Sequence, residues 1–175
     1  MKFTKYHTKG AYHWHRLTNT DGRYFRYVYL VKDWIKETNV LDVGAGDGCI
    51  TKILGIKGVD DEPEAVRFAQ EKGADVILAS AYSLPFEDEE FDAVFMGHVL
   101  EHIKYPFIVL EEVRRVLKKN LYIVSPVPGG EDQFHYKDWD MEELKELVES
   151  AGFELVEPMF RPKRDENIHA KFRKV

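Results

Sequence analysis

Three glycines at alternate positions follow an apolar run and an acid in Val40-Leu41-Asp42-Val43-Gly44-Ala45-Gly46-Asp47-Gly48. Glycines let a chain turn sharply and let its backbone approach a ligand closely, so this segment can serve as a ligand-binding turn after a strand. A structural turn that binds nothing has the same composition. The spacing is G-x-G-x-G. The dinucleotide fingerprint G-x-G-x-x-G would need glycine where Cys49 stands. The loop therefore points away from nicotinamide and flavin dinucleotides. A second group of acids, Asp60-Asp61, closes the short strand predicted over Gly55–Val59. A carboxylate at the tip of the second strand of a doubly wound sheet accepts hydrogen bonds from ribose hydroxyls, and Asp60 has that place. One of the two acids can instead cap the next helix, whose first turn holds Pro63 and whose end is marked by Gly73.

Seven histidines are candidates for proton transfer: His7, His13, His15, His98, His102, His135 and His169. Their ordinary pKa suits a general base near neutral pH. His98 and His102 bracket Val99-Leu100-Glu101 just beyond a predicted strand, and His135 sits in Phe134-His135-Tyr136. His13 and His15 flank Trp14. Alternating histidines bind metal when a third ligand is in reach. No third ligand of suitable spacing accompanies them, so no metal is expected.

The elements that must position these residues alternate in type. Tyr24, Tyr27, Val28, Val31, Trp34 and Ile35 fall on one face at helical spacing. Strands are predicted over Val40–Val43, Gly55–Val59, Asp75–Ala79, Phe91–Met96 and Leu121–Val124. Helices are predicted over Cys49–Leu54, Glu62–Lys72 and Pro106–Lys118. Asp140-Met141-Glu142-Glu143 reads as a capping box that opens another helix, ended by Gly152. Phe153–Phe160 and Asn167–Val175 read as two terminal strands joined by a polar turn. Strands alternating with helices imply an α/β fold: a doubly wound, mostly parallel seven-stranded sheet covered on both faces, closed by an antiparallel C-terminal hairpin. Ligands of such sheets bind beyond the carboxyl ends of the strands. Two loops can cover that end, Tyr6–Leu17 and Ser125–Trp139, both rich in aromatics and histidines. Their aromatics can enclose a flat or cationic molecule, or simply pack as lids.

Val40–Gly48, Gly58-Val59-Asp60, Leu84-Pro85-Phe86, Phe91-Asp92-Ala93-Val94 and Val99-Leu100-Glu101-His102-Ile103 occur in an order that resembles the class I methyltransferases dependent on S-adenosylmethionine (SAM), and among them the type-11 methyltransferase domain. The resemblance covers roughly residues 38 to 155. It implies a Rossmann-like fold, SAM as cofactor and S-adenosylhomocysteine as product. It also implies roles. Gly44, Ala45 and Gly46 meet the methionyl part, Asp42 faces its ammonium, and Asp60 takes the ribose hydroxyls. The pair that receives adenine is Ser80-Ala81 here, a departure from the family's usual acid followed by a small residue. A serine oxygen accepts a hydrogen bond less strongly than a carboxylate. His98 matches the position that borders the sulfonium and ribose. His98, His135 and His102 are the candidates for catalysis. The family's SAM-binding proteins without transferase activity, acting as regulators or subunits, are an alternative.

Composition sets the outer bounds. The chain has 175 residues, 44% of them apolar, enough for one core. A single domain over 1–175 is expected, with a lid and helix over 1–37, a cofactor-binding core over 38–155 and a hairpin over 156–175. No apolar run reaches the ~20 residues that span a membrane. No apolar signal core follows the N-terminus, and Cys49 is the one cysteine, so a cytoplasmic location is expected. Net charge is +5 over residues 1–40, −15 over 41–160 and +4 over 161–175. The acidic middle argues against a broad nucleic-acid surface. Lys2, Lys5, Lys9 and Arg16 at one end and Arg161, Lys163 and Arg164 at the other can attract an anionic substrate, or can be solvated edges. Gly97-His98-Val99-Leu100 stands where amino-group methylation of DNA commonly has Asn/Asp-Pro-Pro-Tyr/Phe, and Cys49 is misplaced for attack on a pyrimidine. A small-molecule acceptor is expected, a protein or RNA delivered by a partner being the alternative. The chain is expected to be a monomer or homodimer.

Overall fold

The computed structural model describes residues 5–18, 22–129, 134–162 and 167–175. The elements run α1 (Lys5–Lys9), α2 (Tyr12–Leu17), α3 (Arg23–Trp34), β1 (Val40–Val43), α4 (Cys49–Leu54), β2 (Lys57–Asp60), α5 (Pro63–Glu71), β3 (Asp75–Leu78) and β4 (Phe91–Gly97). A 3-10 turn over Leu100–His102 follows, then α6 (Pro106–Val116), β5 (Leu117–Pro126), α7 (Met141–Ser150), β6 (Phe153–Leu155) and β7 (Asn167–Lys174). The seven strands form one sheet in the order β3-β2-β1-β4-β5-β7-β6. Strands β1 to β5 pair in parallel. β7 is antiparallel to both β5 and β6, so within the C-terminal hairpin it is β7 that runs against the others.

Alternation along the strands decides which helices cover each face. Leu41, Val43, Val94, Met96, Leu121 and Ile123 belong to the core under α6 and α7, with Leu110, Val113, Leu144 and Val148. Val40, Ala93, Phe95, Tyr122 and Val124 belong to the core on the opposite face, with Tyr24, Tyr27, Val28 and Val31 of α3 and Cys49 of α4. The period-2 strand pattern thus meets two sets of helix stripes, as a doubly wound sheet requires. The capping box at α7 is made: Glu143 N–H donates to Asp140 Oδ1 at 2.9 Å and Asp140 N–H to Glu143 Oε2 at 3.2 Å.

Three boundaries depart from the sequence reading. β5 starts at Leu117, directly where α6 ends, because Leu117 already pairs with Phe91 at the start of β4. Buried Leu117 and Asn120 flank the exposed Lys118 and Lys119, a sequence that helical spacing fits less well than the sheet does. β6 stops at Leu155 rather than running to Phe160, since Pro158 has no N–H to give the ladder; pairing returns only as the single bridge Phe160–His169. The segment Tyr6–Leu17, expected to be a loop, contains the short helices α1 and α2. Among the described residues no helix is long and apolar enough to cross a membrane. Lys2, Lys163 and Arg164 lie outside the described residues, whereas Lys9, Arg16 and Arg161 are exposed.

Candidate active site

β1, β2, β4 and β5 all end at one edge of the sheet, and the glycine loop crosses it. Gly44 and Gly46 have φ of +75° and +56°, the left-handed region that favours glycine. A Cβ at Gly44 would collide with the Val99 side chain, so the loop after β4 packs directly on it. The loop's N–H groups are committed inside the fold. Gly44 and Ala45 both donate to Val59 O at 2.9 Å, and Gly46 donates to Asp60 Oδ2 at 2.7 Å. A cationic end of a ligand, being a donor, needs carbonyl and carboxylate oxygens at this loop rather than N–H groups.

The two acids expected to serve the ligand sit on either side of that loop. Asp42 is buried, and the Thr51 hydroxyl of α4 donates to its Oδ2 at 2.7 Å. Burial pushes its carboxyl up to about 7, against the pull of the Thr51 bond. Asp60 ends β2. Its Oδ1 accepts from Glu62 N–H at 3.0 Å while Oδ2 holds Gly46, so the same acid ties the residue before α5 to the glycine loop. Burial raises it to about 6. Neither acid caps α5, whose N-cap is Glu62, and Asp61 is exposed. Ala79 N–H donates to Asp60 O at 3.0 Å, which brings the start of the Ser80-Ala81 turn alongside. Ser80 Oγ accepts from Tyr82 N–H at 3.2 Å and closes that turn, and Ala81 packs against the core.

Sequence reasoning missed Asp47. Its carboxylate is fully buried and holds the N-terminal segment: His13 N–H donates to Oδ2 at 2.9 Å and His13 Nδ1 lies 3.0 Å from Oδ1. Trp14 Nε1 donates to Asp47 O at 2.8 Å. Burial holds His13 below the usual histidine range, while Asp47 pulls the other way. The Tyr6 hydroxyl rests against Gly46, where a Cβ would strike it. α1 and α2 therefore form a lid on the glycine loop. His15 is exposed on that lid, and the Nδ1 of His13 faces Asp47. An acid inside a glycine turn was the available signal for this contact.

The three catalytic candidates converge. His98 directly follows β4 with φ of +59°, a strained backbone for a non-glycine residue, and donates its N–H to Val124 O at 2.8 Å. Its Nδ1 lies 3.2 Å from Glu101 Oε1. His102 Nδ1 lies 3.1 Å from Phe134 O, and the His102 and His135 rings stand edge to face with centroids 4.8 Å apart. His135 Nδ1 is 2.5 Å from Asp138 Oδ1. Glu101, given no role in the sequence reading, is the buried hub of this cluster. An open depression lined by Thr38, Lys52, Asp75 and Glu90 lies at the opposite, amino ends of the strands, away from these groups.

Residues 41–125 match the family of the methyltransferase domain. Over those residues the chain carries a methyltransferase domain, consistent with a class I SAM-dependent methyltransferase. An uncharacterized protein of Methanocaldococcus jannaschii is 33% identical over 136 residues, 70% of this chain and 66% of that protein. The demethylmenaquinone methyltransferase of Thermotoga maritima is 29% identical over 120 residues, 62% of this chain and 52% of the enzyme. The chain thus spans roughly half to two thirds of the curated relatives it matches. Among solved structures, magnesium protoporphyrin IX methyltransferase from Synechocystis, with S-adenosylhomocysteine bound, superposes with a TM-score of 0.75. That match covers 98% of this chain and 97% of the enzyme at 14% identity, a likeness of fold. SAM is the cofactor expected of a methyltransferase of this class, and the fit can be tested on the residues present. Two buried acids beside the glycine loop, both raised above the usual carboxylate range by burial, suit a ligand with a cationic end and hydroxyl donors.

Proposed function

We propose that the chain catalyses transfer of the methyl group of SAM to an oxygen, nitrogen, sulfur or carbon nucleophile of a small, anionic acceptor. The observation that carries this reading is the latch between the glycine loop and the β2 acid, Gly46 N–H to Asp60 at 2.7 Å, beside buried Asp42 at the carboxyl edge of the sheet. Asp42 would hold the ammonium, Asp60 the ribose, and the Ser80-Ala81 turn the adenine. When bound, SAM supplies a methyl group on a positively charged sulfur. The protein's share of the work is alignment and exclusion of water. The lid formed by Tyr6, Tyr12 and His13 suits the second task. His98, just beyond β4 with its Nδ1 3.2 Å from Glu101 Oε1, would take the proton of an O–H or N–H nucleophile. Exposed Lys9, Arg16 and Arg161 favour an anionic acceptor.

Calorimetry with SAM and with S-adenosylhomocysteine tests the cofactor half. Both should bind in the micromolar range, roughly −8 kcal/mol. A screen of small anionic acceptors with methyl-labelled SAM tests the other half. Absence of heat and of any thermal shift with either ligand would refute the reading.

A further inference from the structure

Glu101 is buried at the end of the sheet, its side chain 1% exposed, and neither of its oxygens accepts a hydrogen bond among the described residues. A carboxylate taken out of water without such bonds costs several kcal/mol unless a positive charge meets it. His98 Nδ1, 3.2 Å from Oε1, touches one oxygen only. Two further groups reach the same place from segments more than thirty residues apart in sequence. One ligand atom each from Glu101, His102 and His135 lies within 4.8 Å of the others.

The two rings are set as metal-bound histidines are. His135 Nδ1 faces the Asp138 carboxylate and His102 Nδ1 faces the Phe134 carbonyl. An oxygen acceptor at Nδ1 fixes the tautomer with the proton there, which is the form that ligates through Nε2. The backbone already joins the two segments, Tyr136 N–H donating to Glu101 O at 2.7 Å.

We propose that Glu101, His102 and His135 bind a divalent transition-metal ion, with zinc the best fit. Two imidazoles and one carboxylate suit zinc and its neighbours in the first transition row, and are a poor set for magnesium or calcium, which take oxygen ligands. Three protein ligands leave a coordination position open, the arrangement of catalytic rather than structural zinc. Zinc–ligand bonds of about 2.0–2.2 Å put tetrahedral ligand atoms about 3.4 Å apart, so the widest pair must close by about 1.4 Å as the ion enters. The expectation that the chain lacks a metal rested on His13 and His15. This cluster escapes any local spacing rule because 33 positions separate His102 from His135. The ion would stand beside His98, where an acceptor oxygen could take the open position and be acidified. That last role rests on the methyl-transfer reading, while binding of the ion does not.

The test uses tag-free full-length protein stripped with a chelator and titrated with Zn²⁺ alone, in competition with a chromophoric chelator. Co²⁺ substitution gives a second readout, the visible bands of a four-coordinate nitrogen and oxygen site. One saturable ion per chain is expected. Glu101→Gln and His135→Ala should remove it. Asp138→Asn, which disturbs only the orientation of His135, should weaken it about 10- to 100-fold. His15→Ala, on the exposed lid, should change nothing. His135 is on the segment after β5 and outside the sheet, so its variant remains informative if Glu101→Gln fails to fold. Lack of saturable Zn²⁺ binding by the parent protein, or unchanged affinity in folded His135→Ala, overturns the site. Failure of SAM to bind leaves this result standing, so the two readings fail separately.

Discussion

Asp42 and Asp60 make cofactor binding a proton-linked event. Burial raises Asp42 to about 7 and Asp60 to about 6. At pH 6 the free protein therefore holds most of a proton on Asp42 and half of one on Asp60. A ligand that brings an ammonium to Asp42 and hydroxyl donors to Asp60 favours both ionised forms, and must displace those protons. For each acid the apparent dissociation constant scales as one plus ten to the power of pKa minus pH. From pH 6 to pH 7 this gives about 5.5-fold for Asp42 and about 1.8-fold for Asp60, together about tenfold or about 1.4 kcal/mol. The ligand's own amino group titrates at about 7.7–8.0 and stays mainly protonated over that interval. Titration calorimetry at pH 6, 6.5 and 7, in two buffers of different ionisation enthalpy, reads both affinity and proton release. About one proton should leave per SAM bound at pH 6.5. Asp42→Asn should reduce the pH effect to the about 1.8-fold that Asp60 retains. The free protein gives an independent sign check. An acid whose folded pKa is raised carries its proton longer in the folded state, so stability falls as pH climbs from about 4 to about 7. Asp42→Asn should remove that loss and raise the melting temperature above pH 7. Affinity that does not change between pH 6 and pH 7, or an unchanged pH effect in Asp42→Asn, would show that Asp42 does not face the ligand's charge.

Two other expectations follow from contacts of the glycine loop. Asp60→Ala removes acceptors from Gly46 and Glu62, so it should cost about 2–3 kcal/mol in urea unfolding as well as about 1.5–3 kcal/mol in SAM affinity; loss of affinity with no loss of stability would mean that the latch is not structural. Tyr6→Ala uncovers Gly46 and should raise the rate of SAM association several-fold in stopped-flow experiments that follow Trp14 fluorescence, whereas an unchanged rate would show that α1 does not limit entry.

The sheet was legible because its signals are local and agree with one another. Val40–Val43 followed by Gly44, and Asp140 with Glu143 at the start of α7, each specify a strand end or a helix start within a few residues. The glycine loop, Asp42 and Asp60 were legible for the same reason, and the structure places all of them at one edge. What local pattern does not contain is who meets whom across the chain. Asp47 looks like any polar turn residue until His13 and Trp14 are seen on it from 33 or more positions away. Glu101 looks like the first turn of a helix until His135 arrives from beyond β5. Tyr6–Leu17 shows no helical stripe because its helices are only five and six residues long and bury little: Tyr6 is buried in α1, and α2 buries none of its residues.

Those long-range contacts also order the events of ligand entry. The glycine loop is the meeting point of four segments: β2 through Val59 O and Asp60, the turn after β4 through Val99, the lid through Tyr6, and α2 through Asp47. A ligand that reaches Gly46 has to move the Tyr6 hydroxyl first. The same movement strains the His13–Asp47 pair, whose carboxylate is too deeply buried to stand alone. Asp47 therefore anchors α2 more firmly than anything holds α1. α2 would stay in place while α1, held to Gly46 by packing and to Glu62 by the His7 imidazole at 3.5 Å, swings away. The buried anchor and the lighter outer contact divide the N-terminal segment into a hinge and a flap, which fits a site that must open for a cofactor and close against water.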